Sequence, residues 1–331
     1  LPRGTTVSME FSYDNSADNW RNPNDPPKDI EFGPFSSNEM ADLWIQVMPR
    51  NDRDSMGLKQ SAARHLEQKM IERQERLVEL EPDVNGHIEL ARYYRRAGQL
   101  PEAVTQLRKS LELAPENTTV LENLAFALTD AGQQDEALVH WRRYVQLAPK
   151  DSRAHLNLGT ALGFSSQVAE AVPHLKRATE LDPSFGPALF RLGRAQSYLG
   201  HFDDALVSFR AALALNPNEP VILQAVAGLL ATHPDPSKRN SSEALELAEH
   251  ALQQFARPEP MSLTTLAMAQ AASGDFDLAT TTAEFALRQV TPDQERLLGP
   301  IILRQIDLYQ HGQIEVARAA GKKRFVAPGE R

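Results

Sequence analysis

The feature that most constrains this chain is a repeat of 34 residues between residue 84 and about residue 217. Proline, alanine and glycine each recur at that interval. The recurring positions are Pro115, Pro149, Pro183 and Pro217, then Ala103, Ala137, Ala171 and Ala205, then Gly98, Gly132 and Gly200, with Ser166 in the third glycine place. A period of this length predicts small units that bury their apolar faces only by stacking on one another.

Each unit is predicted to be a pair of antiparallel helices. The units begin at Val84, Thr118, Ser152 and Gly186, and each carries leucine at place seven and a small residue at place eight. Small residues there let the two helices approach closely. The turn glycine ends the first helix because it adopts the left-handed conformation without a side-chain penalty. An apolar residue of the second helix packs back on the first helix, and the proline ends the second helix.

The order of glycine, a small residue five places later and proline twelve places after that resembles the tetratricopeptide repeat. The resemblance implies a mainly α fold: an α-solenoid in which helix-turn-helix units form a right-handed superhelix. It also implies that the first helices line a concave groove. Residues at places two, five, six, nine, twelve and thirteen of each unit would face that groove.

These groove places are predicted to be basic and rich in amides, on a chain whose formal net charge is -9. They hold Arg92, Arg95, Arg96, Asn123, Arg153, Asn157, Phe190, Arg191, Arg194 and Tyr198. Guanidinium groups suit carboxylates, and asparagine pairs with an extended backbone. We therefore expect a protein or peptide partner, acidic or bound by its C-terminus. The alternative is that these residues are solvated or lie between domains.

The carboxylate-clamp members of the family bind their peptides with a Lys-Asn-Asn-Lys-Arg set. In the register that starts at the second unit, this chain matches that set only at Asn157 and Arg191. The pattern therefore does not indicate a clamp for chaperone tails.

The repeat also predicts the flanking organisation. Residues 51–82 are expected to form a linker and capping helix, residues 83–219 four regular units, residues 220–292 two degenerate units, and residues 293–331 C-terminal capping helices at about 298–310 and 313–323. The fifth unit has about six extra residues in its turn. Terminal caps are needed because the end units of a solenoid have an uncovered apolar face.

Residues 1–50 differ from the rest of the chain. Residues 5–13, 28–32 and 42–48 alternate or cluster their apolar residues in the manner of β-strands. Three strands make an incomplete sheet, which indicates the end of a truncated β-domain. Because the chain also begins with Leu1, we expect it to be a piece of a longer product.

The segments "YDNSADNWRNPNDPP" and "FGPFSSNEMADLWIQVMP" resemble the C-terminal end of copper type II, ascorbate-dependent monooxygenases, the family of peptidylglycine alpha-hydroxylating monooxygenase. The resemblance implies that Met40 would be a thioether ligand of copper, a role that suits a soft sulfur. The other interpretation is that Met40 fills a strand core. The first histidine is His65, so the copper site would be incomplete.

The chain by itself is therefore expected to hold no cofactor and to be no enzyme, with copper belonging to a longer parent. Its predicted function is a scaffold for protein interaction. The alternative is an accessory C-terminal module of a copper- and ascorbate-dependent oxidoreductase. That parentage would imply a location outside the cytoplasm.

Composition excludes several other classes. The acidic balance argues against a nucleic-acid binder, and no apolar run reaches the ~20 residues of a membrane-spanning helix. The chain has no cysteine, so it has no disulfide and no thiolate metal site. His140 and His174 share one place in adjacent units, which is a weak signal for a metal, whereas His87 and His155 are expected to pack inside.

Overall fold

The computed structural model describes residues 52–318 of the chain, and the side chains of residues 63–318. By its contacts the chain divides into residues 1–63 and 64–331. Within the described residues the regular structure is entirely helical. The α-helices are α1 Asp52–Leu80, α2 Val84–Arg96, α3 Leu100–Leu113, α4 Thr118–Asp130, α5 Gln134–Leu147, α6 Ser152–Phe164, α7 Val168–Leu181, α8 Gly186–Leu199, α9 Phe202–Leu215, α10 Pro220–Thr232, α11 Ser241–Gln253, α12 Pro260–Ala272, α13 Phe276–Gln289 and α14 Pro292–Gln310.

Helices α2 to α13 form six consecutive hairpins, and each hairpin packs on the next. The prediction of an α-solenoid of paired helices is confirmed. The recurring alanines Ala103, Ala137, Ala171 and Ala205 all have 0% exposure, and the place-seven leucines are also buried. The apolar partners Leu107, Trp141, Leu175 and Phe209 complete the interior of the four regular hairpins.

In the four regular hairpins the turns between paired helices follow the predicted glycine rule, with one exception. Gly98, Gly132 and Gly200 have φ values of 76°, 77° and 85°. Ser166 takes the same left-handed conformation at φ 61° without being glycine. That conformation costs a residue with a side chain about 1 kcal/mol or more.

The C-terminal half of helix α1 contacts the first hairpin. Ile71 and Val78 of α1 are buried in the same apolar cluster as Leu90 of α2. The Tyr94 hydroxyl of α2 donates a hydrogen bond to the Glu75 carboxylate of α1. Burial and this carboxylate together raise the pKa of Tyr94.

The C-terminal end differs from the prediction. Helix α14 ends at Gln310, and residues 313–318, which were expected to begin a second capping helix, are not helical. That part of the prediction is wrong because residues 314–317 make tertiary contacts instead, among them a 2.8 Å hydrogen bond from the Ala317 N–H to the Thr232 carbonyl. The strands predicted within residues 1–50, and with them Met40, lie outside the described residues.

Substitution of Gly193 would show how much stability depends on the close approach of the paired helices α8 and α9. A Cβ atom at Gly193 would lie 2.6 Å from Cδ1 of Phe209. We therefore expect Gly193→Ala to lower the free energy of unfolding by about 1–3 kcal/mol through overpacking. Urea unfolding followed by far-UV circular dichroism measures it.

Gly163→Ala is the matched control. Gly163 is also helical, but a Cβ atom there would have no heavy atom within 4 Å. This substitution should leave stability unchanged or raise it by up to about 1 kcal/mol, the difference in helix propensity. Equal losses in the two variants would contradict the close-approach explanation.

Candidate functional site

The candidate site is a cavity of about 250 Å³ between the third and fourth hairpins. Helix α8 contributes Arg191, Arg194 and Tyr198, and the end of α6 with its following turn contributes the opposite wall. The residues lining the cavity are Gly159, Thr160, Gly163, Phe164, Ser166, Val168, Ala171, Leu175, Arg191, Arg194, Ala195 and Tyr198.

The local sequence explains why this space is open. Gly163 has no side chain to fill it, and it stands at a groove place of the third unit. Phe164 and Tyr198, which occupy the same place in adjacent units, are 65% and 43% exposed. Exposed aromatic rings beside a gap offer apolar area to a bound group. Ser166, the residue with the strained left-handed turn, belongs to the same wall.

Arg191 and Arg194 are the charged groups of the cavity, one turn apart on α8. Neither side chain has a carboxylate partner within the part of the chain that the structure describes. Arg191 is half-buried, and its burial, together with the nearby charge of Arg194, lowers its pKa. Two unneutralised guanidinium groups at a partly buried site favour an anion.

The arginines of the first hairpin are in a different situation. Arg92 pairs with Glu89 at 2.7 Å, and the Arg95 guanidinium contacts one carboxylate oxygen of Asp130 through two nitrogens, at 2.7 and 3.1 Å. Arg96 lies 3.8 Å from Glu67. Their charge is therefore largely neutralised within the chain.

The remaining predicted groove residues also have internal contacts. The Asn123 amide donates to the Thr119 carbonyl of its own helix at 2.8 Å, and the Asn157 amide donates to the Glu122 carboxylate at 3.2 Å. Burial raises the pKa of Glu122, an effect that the charge of Arg153 opposes. Phe190 packs against Phe209 with ring centroids 5.7 Å apart.

The structure thus brings Arg191, Arg194 and Tyr198 together and separates them from the first-hairpin arginines. Sequence reasoning missed Thr160, Gly163 and Phe164 on the opposite wall. These residues occupy places nine, twelve and thirteen of the third unit, so the groove pattern already contained the signal.

The histidines form a pair, but not the predicted one. His174 lies against His155 of the same hairpin, with their Nδ1 atoms 3.2 Å apart, while Nε2 of His155 is 3.2 Å from the Pro149 carbonyl. Among the described residues, no group of three or more His, Asp or Glu side chains is placed to hold a metal. None of the described helices is both long enough and apolar enough to cross a membrane.

Comparison with known proteins agrees with this architecture. Profiles of the tetratricopeptide repeat family match residues 56–185, 186–219 and 260–284. These segments of the chain are tetratricopeptide repeats, as the 34-residue period predicted. The matches begin after residue 50, and the resemblance of residues 1–50 to a copper monooxygenase gains no support from them.

Several solved structures share the fold. PilF of Pseudomonas aeruginosa has a TM-score of 0.55 and 21% identity, over 70% of this chain and 97% of that chain. PilW, a type IV pilus biogenesis factor, has a TM-score of 0.55 and 18% identity, over 65% and 98%. A tetratricopeptide repeat protein from Parabacteroides merdae has a TM-score of 0.51 and 17% identity, over 72% and 91%. A search of the curated proteins finds no match.

The histidine pair generates a prediction about pH. Burial, the neighbouring His155 and the charge of Arg142 lower the pKa of His174 from its ordinary value of 6.5. The unfolded chain therefore takes up a proton at this residue at higher pH than the folded chain does. Stability from neutral His174 is complete above about pH 6.5 and decreases as the pH falls toward the folded pKa.

Urea unfolding of the wild type and His174→Gln between pH 7.5 and 5 measures this contribution. Glutamine keeps a donor for His155 but does not titrate. The wild type should lose more stability than the variant as the pH falls. Parallel pH profiles for the two proteins would exclude His174 as the source.

Proposed function

We propose that this chain is a protein-interaction scaffold that holds an acidic segment of a partner protein at the cavity between α6 and α8. The observation that carries the proposal is the pair Arg191 and Arg194, which lack carboxylate partners among the described residues and line the same cavity as the exposed rings of Phe164 and Tyr198. The tetratricopeptide fold supports the general role, since proteins of this kind bind other proteins or peptides.

The charge distribution favours this position over the rest of the groove. Because Arg92 and Arg95 have carboxylates at 2.7 Å, an incoming carboxylate would have to displace an internal partner there. At Arg191 and Arg194 it would displace only water. Each charged hydrogen bond formed at such a site contributes about 1.5–3 kcal/mol.

The size of the cavity indicates how much of the partner it holds. About 250 Å³ is less than the ~300–1,000 Å³ of pockets that enclose a small molecule. The cavity therefore accommodates one acidic anchor residue or one terminal carboxylate, with an adjacent apolar side chain on Phe164 or Tyr198. The rest of the segment would lie along the first helices.

Peptide binding tests the proposal. Fluorescein-labelled ten-residue peptides, each with an aromatic residue next to aspartate, glutamate or a free C-terminus, would be titrated against the full chain and followed by anisotropy. Matched peptides carry asparagine, glutamine or an amidated end. We expect the acidic peptides to bind more tightly and Arg191→Ala/Arg194→Ala to weaken them about tenfold or more.

Arg95→Ala is the matched control, because it removes an arginine whose charge Asp130 already neutralises. It should leave the affinity for acidic peptides nearly unchanged. The proposal would be wrong if acidic peptides bound the double variant as tightly as the wild type. It would also be wrong if the matched neutral peptides bound the wild type as tightly as the acidic peptides do.

A further inference from the structure

The turn after α10 is longer than the turns of the regular hairpins and has no left-handed glycine. In the regular hairpins the residue after the turn glycine, or after Ser166, donates its N–H back to the first helix, as Gln99 does to the Tyr94 carbonyl at 2.8 Å. The fifth hairpin has no such glycine, and His233 leaves the helix at φ -51° and ψ 134°. The longer turn of this hairpin instead returns the Asn240 N–H to the Leu230 carbonyl at 3.2 Å, and no donor among the described residues of that turn reaches the Thr232 carbonyl, the last of α10.

The donor comes from the C-terminal segment, 85 residues further along the chain (317 - 232 = 85). The Ala317 N–H donates to the Thr232 carbonyl at 2.8 Å, and the Ala317 methyl group packs on the apolar cluster formed by α9 to α12. The last carbonyl of α10 thus accepts a hydrogen bond from a backbone amide outside its own hairpin.

A second contact fixes the other end of this segment. The Glu315 carboxylate accepts a hydrogen bond from the Gln305 amide of α14 at 3.2 Å and lies 3.6 Å from the Arg304 guanidinium. Gln305 is only 1% exposed, so its amide is held in place by packing. Ile314 packs against the apolar cluster of α12 to α14.

We propose that the C-terminal ends of α10 and α14, with α12 between them, form a binding site for an extended peptide, and that residues 314–317 are its built-in occupant. The site recognises an apolar residue, an acidic residue, any residue, and then a small residue whose N–H reaches the Thr232 carbonyl. This site is separate from the arginine cavity and does not depend on the function proposed there.

The attachment is suited to exchange. Residues 314–317 are each only partly buried, and one backbone hydrogen bond joins them to α10. What keeps them in place is their tether, since a short linker gives an effective concentration in the millimolar range. A segment of matching pattern on a second molecule would bind once the tethered segment is released.

The test uses the full chain in three forms. Glu315→Ala/Ala317→Pro releases the segment, because it removes the carboxylate and the N–H donor, whereas Gln313→Ala/Arg318→Ala changes exposed residues on either side and serves as the control. The probe is a labelled peptide, acetylated and amidated, with the sequence of residues 313–318. Fluorescence anisotropy should show binding to the released variant about tenfold tighter than to the wild type or the control.

Two peptide changes test the recognition pattern. Replacing glutamate by glutamine, or methylating the alanine nitrogen, should each weaken binding to the released variant several-fold. Absence of binding to that variant, or equal binding to the wild type, would overturn the proposal.

Hydrogen exchange in the wild type provides a second measurement that needs no variant. The Ala317 amide should exchange about tenfold or more slowly than the Val316 amide, which has no backbone acceptor among residues 52–318. Equal exchange at the two amides would show that the segment does not occupy the site.

Discussion

The structure depends on how closely two helices of a hairpin can approach. At the alanine places and at Gly193 the side chains are small enough that the partner helix touches backbone or Cβ. This contact fixes the geometry of each hairpin, and the larger apolar residues, such as Leu175 beside Gly159 and Phe209 beside Gly193, fill the space between its two helices. Stability is distributed along the stack because each hairpin is covered mainly by its neighbours.

The exposed positions of the first helices do not take part in this packing. Their charged side chains differ from unit to unit in whether they have a carboxylate partner. In the first hairpin Arg92 forms an ion pair with a carboxylate one turn away, and Arg95 forms one with Asp130 of the next unit. On α8, among the described residues, Arg191 and Arg194 form no ion pair with a carboxylate. The difference comes from the neighbouring residues rather than from the arginines, so the same groove place is neutral in one unit and cationic in another.

The sequence predicted the hairpins, their turns and their buried faces because a fixed period repeats the same physical requirement several times. It predicted less of the candidate site. Arg191, Arg194 and Tyr198 were identified by place, but so were Arg92 and Arg96, and only three-dimensional neighbours distinguish free from paired charges. The pairing of His174 with His155, not His140, likewise depends on how the helices of one hairpin face each other.

Two parts of the structure depart from the regular repeat, the turn at Ser166 and the contact between α10 and residues 314–317, and each has a local physical reason. Ser166 keeps the left-handed turn because the helices on either side of it determine the path of the chain there. At the end of α10 the longer turn caps the Leu230 carbonyl through the Asn240 N–H, and the Thr232 carbonyl accepts from Ala317, far along the sequence. Residues 313–318 have ordinary helix-forming composition, yet hydrogen bonding to Thr232 and Gln305 outweighs that preference. The 34-residue repeat cannot predict the contact between Ala317 and Thr232, because both residues lie outside the regular repeats.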